Sequence, residues 1–321
     1  MANQFSFESS TEDVLAGVDL QGKRALITGV SAGLGVETAR ALVAHGAAVV
    51  GTARDLSKAD RAATPVYNAA RAGGGSFELE HLDLSSLASV RACADRLLGY
   101  RHSFDIVIAN AGVMGTPFGR TADGFETQFG TNFLGHFVFV NRIASLIPSG
   151  GRVVILSSAA HAMADINLDD PNFERTEYDP WVAYARSKTA CILFAVEFDR
   201  RHRDQGVRAT AVHPGTIRTE LQRHHSAEQE AAYIALTRKA SRSGAPTPPR
   251  WKTVPQGAAT SVWAAAVAPA DLIGGRYCLD CNVAAISDTG DIRAGVRSYA
   301  RDPDRAQGLW MKAEKLVSER F

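Results

Sequence analysis

The sequence predicts an α/β fold: one doubly wound parallel sheet of about seven strands, flanked by helices. Three observations predict it. Short apolar runs alternate with stretches of helical period along most of the chain. The first run passes directly into a glycine-rich turn, Gly29-Val-Ser-Ala-Gly33-Leu-Gly35, and then into a helix. Polar and glycine residues collect at the C-terminal ends of the later runs, which is the edge where such sheets hold ligands.

Composition narrows the class. Of 321 residues, 45% are hydrophobic and 21% charged, as in an ordinary globular chain with a sizeable core. Lys and Arg number 35 against 34 Asp and Glu, so nothing argues for nucleic acid or an acidic membrane surface as a partner. No apolar run approaches about 18 residues, and the start has no basic-then-apolar pattern, so no membrane partner and a cytoplasmic location are expected. Four cysteines are too few for a disulfide framework. Cys278-Leu-Asp-Cys281 has metal or redox spacing, but Cys93 and Cys191 are isolated; buried thiols near a strand end are expected, and no metal site.

Residues 1–22 are polar and read as an irregular surface arm, ahead of a single domain over 23–287. Arg24-Ala-Leu-Ile-Thr28 is the first strand, followed by a helix with its apolar stripe at Val36, Ala39, Leu42 and Val43. Gly29, Ser31, Gly33, Leu34 and Gly35 lie in the turn between them. Glycines there let a backbone approach a pyrophosphate, and the helix N-terminus offers free N–H groups to its charge. The second strand, Ala48–Ala53, ends at Arg54, where an acidic residue would take the ribose 2′-hydroxyl of NAD. An Arg pairs instead with a 2′-phosphate, so NADP(H) is favoured; Asp55, one residue late, keeps NAD(H) open.

A third strand, Phe77–Leu82, delivers Asp83 and Leu84 to the same edge, with Asp83 suited to accept from an adenine amine. Helix 86–98 leads to strand Asp105–Ala109, which ends in Asn110-Ala111-Gly112. Residues 123–146 read as helical and contain Asn132. Strand Arg152–Leu156 delivers Ser157 and Ser158. Helix 181–203 carries Tyr184-Ala-Arg-Ser-Lys188 and precedes a sixth strand, Val207–Val212. Helix 256–267 and a seventh strand, Gly275–Leu279, complete the sheet, and residues 288–321 read as an amphipathic, charged helical extension.

Residues four apart on a helix share a face, so the Tyr184 phenol and Lys188 ammonium can enter one cleft. An ordinary phenol has a pKa near about 10, too high for a neutral-pH proton carrier, and a fixed cation lowers it. A Tyr so tuned exchanges a proton with an alcohol or carbonyl oxygen while a hydride moves at carbon, and a Ser158 hydroxyl can hold that oxygen.

These motifs together, Thr28-Gly29-x-x-x-Gly33-x-Gly35, Asn110-Ala-Gly112, Asn132, Ser158, Tyr184-x-x-x-Lys188 and Pro214-Gly215, resemble the short-chain dehydrogenase/reductase superfamily over about residues 22–285. Asn132-Phe-Leu-Gly-His-Phe137, Asp169-Asp-Pro-Asn-Phe and Val212-His-Pro-Gly215 narrow the likeness to its retinol-dehydrogenase-like branch. The resemblance implies a Rossmann-type domain with Tyr184 as acid/base and Lys188 lowering its pKa while binding the nicotinamide ribose. It implies that Ser158, rather than Ser157, orients the substrate oxygen and that Asn132 holds a water reaching Lys188. Asn110, Ala111 and Gly112 would border the cofactor; past Pro214 and Gly215, Ile217 and Thr219 would take the nicotinamide carboxamide. A homo-oligomer paired through the helices around Asn132 and Tyr184 follows by the same analogy.

Two long insertions depart from the pattern. The polar run 165–173 is expected as a flap beside the site, and residues 221–255 as a lid, helical over 226–239 and mobile over 241–249. His136 and His213 are expected as hydrogen-bonded core residues, His161 at the surface or against substrate, and His224-His225 in solvent. The expected activity is an NAD(P)-dependent interconversion of an alcohol and its ketone or aldehyde on a lipophilic small molecule. A nucleotide-binding sensor without turnover, or an epimerase-type member of the fold, is the alternative.

Overall fold

A computed structural model of the protein describes residues 4–222, 250–289, 291–292 and 294–321. Six parallel strands form where the apolar runs predicted them: β1 (Arg24–Thr28), β2 (Ala48–Ala53), β3 (Ser76–His81), β4 (Ile106–Ala109), β5 (Arg152–Leu156) and β6 (Arg208–His213). All but β3 are buried almost throughout, because helices cover both faces of the sheet, and this is why their sequences run apolar instead of alternating. A short pair, β7 (Thr216–Ile217) and β8 (Trp251–Lys252), stands apart from the sheet. β9 (Tyr277–Leu279) is the expected seventh strand, and β10 (Asn282–Val283) adds an eighth, antiparallel to it. The turn joining them, Asp280-Cys281, has φ of +51° and +55°, the paired positive values a two-residue hairpin needs.

The sheet order is β10-β9-β6-β5-β4-β1-β2-β3. The chain walks outward from β1 to β3, then returns to lay β4 on the other side of β1. That reversal opens a crevice between the C-terminal ends of β1 and β4, the place where doubly wound sheets bind ligands. Helix α1 (Thr11–Leu15) precedes β1. One face of the sheet is covered by α2 (Gly33–Ala44), α4 (Thr64–Gly73, which follows α3, Leu56–Ala62) and α9 (Val254–Val262). The other is covered by α5 (Leu87–Tyr100), α7 (Gly135–Arg142, which follows α6, Thr127–Phe129), α8 (Pro180–His202) and α11 (Pro303–Val317); α10 (Ala270–Ile273) leads into β9.

Three expectations are corrected. The arm is not irregular throughout: Ser10 and Asp13 form a capping box, and α1 buries Thr11, Val14 and Leu15 against α2 and α9. The Ser-x-x-Asp spacing was the signal for it. Residues 123–146 are not one helix, since a π-helical turn at Gly130–Leu134 separates α6 from α7. The C-terminal segment is not an appendage. Its helix begins only at Pro303, and Trp310 sits in the core with ring centroids 5.0 Å from Phe137 and 6.0 Å from Phe194.

Of the expected lid, residues 223–249, including His224-His225 and the stretches 226–239 and 241–249, lie outside the described residues. Its end is not lid: Trp251–Lys252 pairs with Thr216–Ile217, and α9 begins at Val254. The expected flap is a structured loop, in which the buried Asp170 carboxylate accepts from the backbone N–H of Glu174 at 2.7 Å and of Thr176 at 3.0 Å.

Candidate active site

A cleft of about 490 Å³ runs along the C-terminal edge of the sheet, from Arg54 and Lys58 at one end to Tyr184 and Lys188 at the other. Its middle is the glycine turn. Gly29 has φ of +77°, and a Cβ there would lie 2.8 Å from Ala111 Cα, so only glycine lets the β1 and β4 ends meet. Gly35 is tighter still, with a Cβ position 2.1 Å from the Gly29 carbonyl oxygen. Ala32 at the N-cap of α2 supplies no side-chain cap and the first turn holds no acidic residue, so the helix presents uncapped N–H groups and an unneutralised dipole to the cleft. This is a cradle fitted to a pyrophosphate.

At the far end, Arg54 and Asp55 take different local roles. Asp55 is the N-cap of α3, its Oδ1 accepting the Lys58 N–H at 2.8 Å. Arg54 is exposed, lines the cleft, and has no ion pair among the described residues. Lys58 Nζ meets Glu220 at 2.5 Å, bringing a second cation to this end. Asp83 also lines the cleft, but one of its oxygens is taken by the Ser85 N–H at 2.9 Å and hydroxyl at 2.6 Å.

The other end is built by α8. Asp179 caps its N-terminus, accepting from Trp181 and Val182 N–H, and Pro180 fits the first turn. One turn apart, Tyr184 and Lys188 are both buried, 4% and 5% exposed. The phenol is close enough to the Ser158 hydroxyl to feel it, and Ser158 Oγ accepts the Ala160 N–H at 3.1 Å. Ser157 is occupied elsewhere, donating to the Lys188 carbonyl at 2.8 Å. Ser158 is therefore the hydroxyl at the phenol and Ser157 a brace for α8. Lys188 Nζ donates to Leu156 O at 3.1 Å and stands 5.7 Å from the Tyr184 ring centre.

The expected pKa relation is not what governs here. Burial pushes the Tyr184 phenol above its ordinary value, with the Ser158 hydrogen bond pulling the other way, and burial lowers the Lys188 ammonium. Desolvation penalises both charged forms, and Lys188 directs its ammonium to a carbonyl instead of the phenol oxygen.

The π-helical turn carries Asn132, a local geometry often found at functional sites. Both amide hydrogens are spent, on Val113 O and Ser187 Oγ, each at 2.9 Å, and Oδ1 accepts the Val113 N–H at 2.8 Å. Asn132 thus fastens the Asn110–Val113 loop to α8, and neither amide hydrogen remains to hold a water. His136 links it to the glycine turn. Thr28 Oγ1 accepts from the N–H of Asn110 and Ala111 at 2.9 and 3.0 Å, so its own proton points to His136 Nε2 at 2.8 Å. Nδ1 then donates to Asn132 O at 3.0 Å. This neutral imidazole is kept neutral by burial, which lowers it to about 4.

Asn110, Ala111, Gly112, Leu84, Pro214 and Thr219 line the cleft with the glycine turn. Thr219 is brought to Gly33, whose Cβ position is 3.3 Å from it, and Ile217 packs against Gly257. Sequence reasoning missed Lys252: its buried side chain runs under Gly215 and pairs with Asp280 at 2.6 Å. His161 is fully buried, neither at the surface nor in the cleft lining. Cys278 and Cys281 are buried thiols beside the Thr210 and Thr260 hydroxyls.

The sequence pattern of the short chain dehydrogenase family matches residues 23–230. The chain belongs to that family. Among similar proteins is a "Probable oxidoreductase" of Streptomyces lividans, 41% identical over 297 residues, covering 91% of this chain and 97% of the relative. Human "Retinol dehydrogenase 14" is 37% identical over 312 residues, 93% of this chain and 87% of that one, which places this short-chain dehydrogenase/reductase in the retinol-dehydrogenase-like branch. A Burkholderia cenocepacia short chain dehydrogenase, solved in complex with NADP, is 25% identical with a TM-score of 0.62, covering 82% of this chain and 98% of that one. The protein is an NAD(P)-dependent oxidoreductase acting on CH–OH groups. Among the described residues, no helix is long and apolar enough to cross a membrane.

Proposed function

We propose that this short-chain dehydrogenase/reductase prefers NADP(H) and interconverts a lipophilic alcohol with its aldehyde or ketone, using Tyr184, Ser158, Lys188 and Asn132. The observation that carries this reading is one cleft joining two ends: an exposed Arg54 whose acidic neighbour is spent as a helix cap, and a buried Tyr184 beside the Ser158 hydroxyl. Met114, Ala160 and Trp181 pack around Tyr184, with Met163 and Leu221 at their edge, an apolar wall suited to an apolar substrate.

The glycine turn from Gly29 to Gly35 would hold the cofactor's pyrophosphate, and the nicotinamide would supply or accept the hydride. The chain's own residues handle the oxygen. Ser158 donates to the carbonyl oxygen and fixes it beside the phenol. Tyr184, held protonated by burial, gives its proton to that oxygen as negative charge develops there. Lys188 keeps its ammonium against Leu156 O and would bind a ribose hydroxyl of the cofactor, and Asn132 holds the Val113 backbone that walls this end.

The test is a tryptophan-quenching titration with NADPH and NADH. Turnover at 340 nm then follows on a panel of decanal, all-trans-retinal, benzaldehyde and a steroid ketone. Tighter binding of NADPH and loss of absorbance with an apolar carbonyl are expected. Equal affinity for both nucleotides would overturn the reading of Arg54, and binding without turnover in either direction would overturn the assignment of the four residues.

A further inference from the structure

His161 makes more contacts with the catalytic neighbourhood than any role in the reaction requires. It is 0% exposed, and its ring lies against Tyr277 with centroids 4.9 Å apart. Nδ1 is 2.7 Å from Ser158 O, and the His161 N–H reaches the same oxygen at 3.1 Å. Nε2 accepts the backbone N–H of Arg297 at 3.2 Å. The His161 carbonyl accepts from Tyr299 OH at 2.6 Å and from Thr189 Oγ1 at 3.3 Å. Thr189 is the residue after Lys188.

The partners set the tautomer. Nε2 receives an N–H and so carries no proton, which leaves the proton on Nδ1 for Ser158 O. Burial, which lowers this imidazole to about 4, favours the same neutral form. The far anchor is itself fixed, because the Arg297 guanidinium donates to Ser287 O at 2.5 Å and Asp291 O at 3.2 Å. The serine turn is thereby tied to a segment more than 130 residues further along the chain.

We infer that His161 is a positioning residue for Ser158, joining the serine turn to the Arg297–Tyr299 segment, so that the chain beyond residue 287 is part of the active-site scaffold. This rests on the reading of Ser158 given above. Ser158 has a buried phenol on one side and the His161 link on its carbonyl. A displaced serine would leave the substrate oxygen misaligned with Tyr184, and misplacement by about 1 Å can cost about 100-fold in rate.

The experiment is a double-mutant cycle on the fastest carbonyl of the panel, with NADPH affinity measured in parallel. His161→Phe keeps the ring and removes both nitrogen contacts; kcat should fall about 30-fold while the NADPH Kd stays within about twofold. In a Ser158→Ala background the same substitution should change kcat by less than about twofold, because the group it positions is gone. An equal loss in both backgrounds, or an unchanged kcat, would overturn the inference. Should His161→Phe fail to fold, Tyr299→Phe removes one hydrogen bond and leaves the ring. It should lower kcat about threefold with Ser158 present and not without it; the same loss in both backgrounds, or none in either, would overturn the inference. Full activity of Ser158→Ala alone would instead count against the proposed function, separating the two failures.

Discussion

The two ends of the cleft handle charge in opposite ways. At one end Arg54 is exposed and the Lys58–Glu220 pair is about half in solvent. At the other end Tyr184, Lys188, Asn132 and His136 are all buried, and most of their polar atoms are held by a partner. An exposed charge can select a ligand but is screened and contributes little to stability; a buried one is costly, fixed and sensitive to its partners. In the proposed function, selection belongs to the first end and chemistry to the second.

The sharpest way to break that comparison is Tyr184→Phe. It should lower kcat about 1,000-fold, within the usual range for a lost general acid, and leave the NADPH Kd within about twofold. A fall of less than tenfold would mean that another group moves the proton. The raised phenol adds a direction: alcohol oxidation needs the deprotonated form, so its kcat should climb with pH through the alkaline range while carbonyl reduction does not.

Acid should injure the buried end first. His136 and His161 are both lowered to about 4, against 6.5 in an unperturbed chain. Between those values the unfolded chain binds protons that the native protein refuses. Stability therefore falls as pH drops below about 6.5, by on the order of 3 kcal/mol per imidazole once pH 4 is reached. Urea midpoints measured from pH 7.5 to 4.5 should show this slope, and His136→Gln should flatten it by one proton. An unchanged slope would mean that His136 is protonated in the native state.

Arg54→Asp comes next. Losing a charge-assisted bond to a 2′-phosphate and adding a repelling carboxylate should shift the NADPH:NADH affinity ratio about 10- to 100-fold toward NADH. No shift would move the choice to Lys58. The smallest effect should come from Glu220→Gln, since an ion pair this exposed is worth less than about 1 kcal/mol. A thermal midpoint displaced by more than a few degrees would show that the Arg54 end also holds the fold together.

The elements that were legible are those whose reason is local. Gly29, Gly33 and Gly35 between a strand and a helix, Tyr184 and Lys188 one turn apart, and Arg54 at a strand end each carry their geometry in their spacing. Less legible were features whose partner lies far away. Nothing near His161 announces Arg297, nothing near Phe137 announces Trp310, and nothing near Gly215 announces Lys252. The π-helical turn at Asn132 was hidden for a related reason, because its sequence has the apolar periodicity of an ordinary helix.

By itself the sequence determined the strand–helix alternation, the glycine cradle and the face shared by Tyr184 and Lys188, because backbone freedom and helical period act over a few residues. Tertiary structure decided the rest. It raised the phenol that spacing alone would have lowered, and it drew the C-terminal segment into the core behind Ser158. Desolvation and long-range hydrogen bonds depend on which surfaces meet, and only the packed chain fixes that.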